Sequence, residues 1–130
     1  MLAEHYNSAY SVPRAEYERQ VQREFPQIAR TIVALGGHPG SLLEIGCSYG
    51  SMLRCFRDSG WKTAGIEWDA RATQIARDAR LSVYTGAVED IAPTMKRTFD
   101  VVLGSHVIEH ARDPRQLVSA LATLTQPGSL

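Results

Sequence analysis

The sequence predicts an α/β fold, a mostly parallel sheet with helices on both faces. Three observations predict it. From Ser41 onward, short apolar runs alternate with helix-patterned segments, and right-handed crossovers turn such alternation into a parallel sheet. The first apolar run breaks into a glycine turn, Gly46-Cys47-Ser48-Tyr49-Gly50, that leads directly into a helical pattern. An acid, Glu67, closes the second run 21 residues after Gly46.

Each element has its own signal. Residues 1–12 are polar with two tyrosines, Tyr6 and Tyr10. From Pro13, Val21, Phe25, Ile28, Ile32 and Leu35 recur at steps of three and four, an amphipathic helical stripe. Pro26 inside it should kink the helix or start a second one, and "GGHPG" ends it. "SLLEIG" reads as a buried strand and "SMLRCFRDSG" as a short helix closed by Gly60. "KTAGIEW" is the second strand, followed by the helix "DARATQIARDA" with Asp69 as N-cap. "LSVYTG" is the third strand, and "AVEDIAPTMKRT" a loop or weak helix. "FDVVLGS" is continuously apolar, as a strand covered on both faces should be. "DPRQLVSALATL" is a helix with Pro114 in its first turn.

Size and charge narrow the function classes. A chain of 130 residues is about one domain and can bury roughly two-thirds of its surface. Fourteen basic residues balance fourteen acidic ones, so there is no electrostatic case for nucleic acid or an anionic membrane. The sequence has no signal-peptide pattern and no apolar run long enough to span a bilayer. Cys47 and Cys55 form no disulfide framework. They read as reduced small hydrophobes in a cytoplasmic protein.

The glycine turn poses a chemical question, because Glu44 stands immediately before it. The dinucleotide fingerprint wants G-x-G-x-x-G, and counting from Gly46 the later glycines are replaced by Ser48 and Ser51. A P-loop needs Lys and Ser/Thr after its last glycine, and here Ser51-Met52 follow. Glu44 would also repel a diphosphate in a low-dielectric crevice. A ligand with cationic groups and no phosphate suits the acid. Its carboxylate, if it has one, can sit on the free N–H groups of the helix that starts after Gly50. Glu67 stands where a carboxylate accepts hydrogen bonds from ribose hydroxyls, and Trp68 beside it can cover a base.

The segments "LLEIGCSYG", "AGIEWD", "GAVEDI" and "FDVVLGSHVIEHARDP" resemble, in order and spacing, the successive motifs of class I S-adenosylmethionine-dependent methyltransferases. The resemblance covers Ser41 to the C-terminus. It implies a Rossmann-like, doubly wound core over residues 41–130, with strands in the spatial order 3-2-1-4, preceded by an N-terminal helical cap over residues 1–40. It implies S-adenosylmethionine as cofactor, with Glu44, Gly46, Cys47, Ser48 and Gly50 around its methionine end and Glu67 on the ribose. Trp68, Ala87, Val88 and Glu89 would run beside adenine. Ser105, His106 and Val107 would face the cofactor and the methyl acceptor, and Tyr6 or Tyr10 of the cap would reach over it. Two departures stand out: Ser48 replaces the middle glycine of the family's G-x-G-x-G, and "QPGSL" matches the segment before the family's fifth strand, so the later strands are absent from this chain.

"HVIEH", residues 106–110, also matches the zinc-peptidase pattern H-x-x-E-H. That chemistry needs both histidines on one helical turn and a third protein ligand, whereas this motif leaves an apolar strand and meets Asp113-Pro114. No metal is expected. His106 or His110 is the candidate general base, since imidazole titrates near neutral pH. The reading is a methyltransferase acting on an unidentified acceptor. The alternatives are a truncated cofactor-binding or interaction module without turnover and, disfavoured by the turn, a nicotinamide oxidoreductase. The outer edge of the fourth strand lacks its usual partner, so self-association through it, or a C-terminus folded back over it, is expected.

Overall fold

Side-chain alternation along the first strand, β1 (Ser41–Ile45), sorts the molecule into layers. The structure, a computed structural model, describes residues 12–130, so Tyr6 and Tyr10 lie outside the described residues. Leu42 belongs to an apolar core on one side of the sheet, and Leu43 and Ile45 to a second core on the other. This is the two-residue period of a strand buried on both faces.

Strands β2 (Lys62–Glu67), β3 (Val83–Thr85) and β4 (Val101–Gly104) complete a parallel sheet in the order β3-β2-β1-β4, as expected. The register sets Glu44 opposite Gly65 on one neighbour and opposite Leu103 on the other. Helices α1 (Arg14–Ala34), α2 (Ser51–Asp58) and α3 (Ala70–Asp78) cover the first face. The single turn α4 (Val88–Ile91), a 3-10 turn at Ala92–Thr94 and α5 (Pro114–Thr123) cover the second.

Caps explain where two of these helices begin. The Asp69 carboxylate accepts the N–H groups of Arg71 and Ala72, and Asp113 those of Arg115 and Gln116. Each such cap contributes about 0.5–2 kcal/mol, and Pro114 at the first position of α5 gives up an N–H that had no partner.

In the first helix Pro26 does not start a second one. The helix runs unbroken through Pro26 from Arg14 to Ala34. A proline inside a helix costs about 3 kcal/mol, but Val21 before it and Ile32 after it are both buried in the same core. Burying two such side chains returns roughly 3–6 kcal/mol. Phe25 adds an edge-to-face contact with Phe56, centroids 5.0 Å apart, and Phe56 makes another with Trp61 at 5.8 Å. The buried stripe ends at Ile32, because Leu35 caps the helix and is exposed.

The fourth strand is less covered than its sequence implied. Val101 is buried, Val102 and Leu103 are half-buried, and Gly104 is exposed. It lies at one end of the strand order. Of the two outcomes expected for its edge, the folded-back C-terminus is the one observed within the chain. The Leu130 N–H donates to Asp100 O at 2.9 Å and Leu130 O accepts from the Val102 N–H at 2.9 Å. These two bonds bracket Val101 in the pattern of a parallel pair. Ser129 Oγ adds a bond to Phe99 O at 2.8 Å. A chain ending at Pro127 loses all three bonds, and the Val102 amide then exchanges about tenfold faster or more while β1 amides keep their protection. Unchanged exchange at Val102 would show that the tail does not cover this edge.

Candidate functional site

The carboxyl ends of the strands open into two cavities that share Gly46, Glu67 and His110. One, of about 320 Å³, is lined by Ile66, Trp68, Ala87, Val88 and Glu89 among others. The other, of about 380 Å³, lies between α1 and the loop after β4 and is lined by Tyr17, Glu24, Glu44, Ser48, Ser105 and His106 among others. Both have the size of small-ligand sites, and they stand at the carboxyl ends where open α/β sheets bind ligands.

The glycine turn is the waist between them. Gly46, Ser48 and Gly50 all take positive φ, at 71°, 47° and 80°. Left-handed backbone is free for glycine but strained by roughly 1–2 kcal/mol for Ser48. The strain has a partner, since the Ser48 N–H donates to Glu67 Oε2 at 2.7 Å. Glu67 Oε1 accepts the Asp69 N–H at 2.9 Å, so one carboxylate ties the turn after β1 to the end of β2. Burial pushes the Glu67 carboxyl up, and the N–H groups of Asp69, Ser48 and Trp68 pull it back. The fixed carboxylate keeps lone pairs on each oxygen for a ligand's hydroxyls.

Glu44 is the contrasting acid. It is 4% exposed, lines the second cavity, and among the described residues its Oε2 has no hydrogen-bond partner. Burial, with Glu67 adding repulsion, pushes its carboxyl up to about 8. A buried polar oxygen left unmatched costs roughly 1–3 kcal/mol, and a cation at that point would remove the cost.

The sites named from sequence separate into two groups. Gly46, Glu67, Trp68, Ala87, Val88 and Glu89 line the first cavity, and Glu44, Ser48, Ser105 and His106 the second. Cys47 and Gly50 line neither. The Cys47 side chain is fully buried beneath the turn, where a Cβ on Gly65 would come within 2.6 Å of its sulfur. Only its carbonyl matters locally, accepting from Tyr17 Oη at 3.1 Å. Gly50 is needed for packing, since a side chain there would collide with Leu81 and crowd Ala76 of α3.

Other lining residues escaped the sequence reading. Tyr17, Glu24 and Glu109 reach the second cavity, and Arg112, Asp113 and Gln116 the first. A signal for the α1 pair existed: Tyr17 and Glu24 lie four residues before and three after buried Val21, polar groups on the edge of an apolar stripe. His106 faces Glu24 with Nε2 3.7 Å from Oε1, and Glu109 with Nδ1 3.4 Å from Oε1. Its φ of 55° is another left-handed non-glycine. "HVIEH" makes a 3-10 turn at Ile108–His110 instead of the helix a zinc-peptidase motif requires. Among the described residues no group of three metal-ligating side chains forms.

Residues 17–130 match the methyltransferase domain family. The chain is 31% identical over 101 residues to a ubiquinone biosynthesis O-methyltransferase of Alkalilimnicola ehrlichii, covering 72% of this chain and 41% of that protein. A protein of the same name from Albidiferax ferrireducens is 31% identical over 94 residues, 67% of this chain and 37% of its own length. The chain thus spans about two-fifths of the curated relatives it matches. Streptomyces venezuelae DesVI superposes with a TM-score of 0.75 at 22% identity, over 92% of this chain and 56% of that one. A glycopeptide N-methyltransferase, MtfA, complexed with S-adenosylmethionine, gives 0.68 at 20% identity over 82% and 50%. These structures share the fold, and the sequence match over residues 17–130 makes the chain a member of the methyltransferase domain family.

Proposed function

We propose that this chain binds S-adenosylmethionine across the two cavities and supports methyl transfer to an acceptor lodged between α1 and the loop after β4. The observation that carries the reading is Glu44, a buried carboxylate with an unmatched oxygen beside the glycine turn. A phosphate ligand would worsen that arrangement, and a sulfonium or ammonium relieves it. Glu67 is placed to accept ribose hydroxyls, with Trp68 and the Ala87–Glu89 segment beside adenine. The free N–H groups at the start of α2 suit the ligand's carboxylate. Family membership and the S-adenosylmethionine complex of a protein sharing the fold support the same cofactor.

Bound there, the cofactor supplies a methyl group on a sulfonium, a leaving group that needs no acid assistance. The protein's work is positioning and proton removal. Of the cap expected over residues 1–40, α1 is the described helix, and on this reading it closes the second cavity through Tyr17 and Glu24. His106, held between two carboxylates, is placed to take a proton from the acceptor, with His110 beside it on the same cavity wall. The relatives act on oxygen by name, and a base of this kind serves a hydroxyl or an amine. On this reading the protein works in the cytoplasm, where its free thiols Cys47 and Cys55 stay reduced.

S-adenosylhomocysteine should raise the melting temperature, and NAD should leave it unchanged. Glu67→Ala should weaken S-adenosylhomocysteine binding by roughly 1.5–3 kcal/mol, the scale of hydrogen bonds to a charged group. Calorimetry showing full affinity in Glu67→Ala would remove the ribose assignment.

Glu44 gives a pH signature. Its folded value of about 8 lies above the ordinary 4.5. Between those values the folded chain holds more protons than the unfolded one, so stability falls as pH rises through that window. A cationic ligand prefers the ionised form, so S-adenosylmethionine should bind more tightly as pH rises toward 8, releasing a proton below it. Glu44→Gln should abolish that pH dependence, weaken binding, and raise the melting temperature of the free chain above pH 8. An unchanged binding profile in the variant would rule out Glu44 as the counter-charge.

A further inference from the structure

We infer that the methyl acceptor is an amine that enters as its ammonium, recognised by Glu24 and Glu109 on either side of His106. The inference rests on the methyltransferase reading above and names the substrate class of that same site.

The second cavity is strongly one-sided in charge. Among the described residues five carboxylates line it, Glu24, Glu44, Glu67, Asp69 and Glu109, and no lysine or arginine does. Residues 1–11 contain neither cation. Arg14, whose guanidinium stands 6.0 Å from the Tyr49 ring centre, is paired with Glu18 at 3.2 Å. The acids are not all spoken for by the fold. Glu67 is held by two backbone N–H groups and Asp69 caps α3, but Glu44 Oε2 is buried without a partner and faces this cavity.

Loading the cofactor does not reverse the sign. Its sulfonium and ammonium offset one carboxylate of its own, a net charge of +1. Five protein carboxylates exceed that even with Glu44 protonated, so the loaded cavity remains negative. Glu44 and Glu67 face the cofactor, whereas Glu24 comes from α1 and Glu109 from the loop after β4. These two face the two ring nitrogens of His106, Nε2 and Nδ1, at 3.7 and 3.4 Å. Gln20 Nε2 donates to Glu24 Oε1 at 2.9 Å and fixes that carboxylate.

A carboxylate or phosphate near the reacting atom would meet like charge at short range and is excluded. A neutral hydroxyl can donate to one flanking acid only and brings no charge to offset the other. An ammonium gains from both, and the chemistry keeps that gain. The ammonium first gives one proton to His106. The nitrogen lone pair then forms the C–N bond, and the C–S bonding pair stays on the departing sulfur. The product is again a cation, so positive charge remains in the acidic field throughout. With a hydroxyl acceptor it would leave the acceptor as the proton.

The test uses the full chain loaded with S-adenosylhomocysteine and three probes on one ring: benzylamine, benzyl alcohol and benzoate. Binding is read from the His106 imidazole signals by NMR. Benzylamine should bind about tenfold more tightly than benzyl alcohol, the scale of one charge-assisted contact, and benzoate should not bind. The Glu24→Gln, Glu109→Gln double variant should still bind S-adenosylhomocysteine, which reports that it is folded, and lose the preference for benzylamine. Equal or tighter binding of benzyl alcohol or benzoate overturns the inference. So does silence of the His106 signals at every soluble benzylamine concentration, or an unchanged preference in the double variant. Failure to bind S-adenosylhomocysteine at all would instead remove the methyltransferase reading on which the inference rests.

Discussion

The site is organised by a single carboxylate, that of Glu67. Its two oxygens accept the N–H of Ser48 at 2.7 Å and the N–H of Asp69 at 2.9 Å. The first bond closes the turn after β1, and the second fixes the end of β2 where α3 begins. Both cavities take Gly46 and Glu67 as a shared wall. Without this bridge the turn would have no reason to hold Ser48 at a strained φ of 47°. The cost of roughly 1–2 kcal/mol for that backbone is offset by a charge-assisted hydrogen bond of similar size.

Glu44 stands one sheet position away and receives no such help. The pairing of β1 with β2 sets it against Gly65, which has no side chain to offer a partner. Two acids in one crevice therefore behave differently. Glu67 is stabilised by donors of the fold itself and serves as structure whether or not a ligand is present. Among the described residues Glu44 Oε2 has no partner, an unrelieved cost of the free protein. The Tyr17 hydroxyl bonds to the Cys47 carbonyl at 3.1 Å and packs edge-on to Tyr49 at 5.7 Å, so α1 presses on the same turn from above. The cap helix is coupled to the glycine turn by these contacts and by the core it shares with α2.

What the sequence made legible follows from local rules. The parallel sheet came from alternation and crossover handedness, its β3-β2-β1-β4 order from the family resemblance, and the cap at Asp69 from residue type before an apolar period. Glu44 and Glu67 stood out because a charge in an apolar run needs an explanation. What stayed hidden depended on tertiary packing. Pro26 argues locally for a break, and only the shared core of Val21 and Ile32 overrides it. Cys47 sits between two turn residues that matter, yet its side chain points beneath the turn because Gly65 leaves room there. Gly50 also carries a packing demand that the sequence did not show, where α2 meets Leu81 and α3. Glu24 could be placed at the edge of the α1 stripe, but nothing along the chain says that α1 lies across from residue 106.

The loop after β4 makes the same point from the other lip of the second cavity. A strand ending in Gly104 can turn sharply, and His106 then takes a φ of 55° that its side chain does not favour. The geometry places the imidazole between Glu24 and Glu109. Ser48 and His106, the strained residues at the glycine turn and beyond β4, both line this cavity. The third strained non-glycine, Arg80, sits at the end of the α3 turn, where the backbone must reverse toward β3. Strain of that kind follows from connectivity alone. For Ser48 and His106 it coincides with the acid-lined wall, and each turns a polar group toward a carboxylate: a backbone N–H toward Glu67, an imidazole toward Glu24 and Glu109. The backbone distortions and the charges of the site are thus one arrangement, in which the acids hold the strained residues and both strained residues stand on the wall of the second cavity.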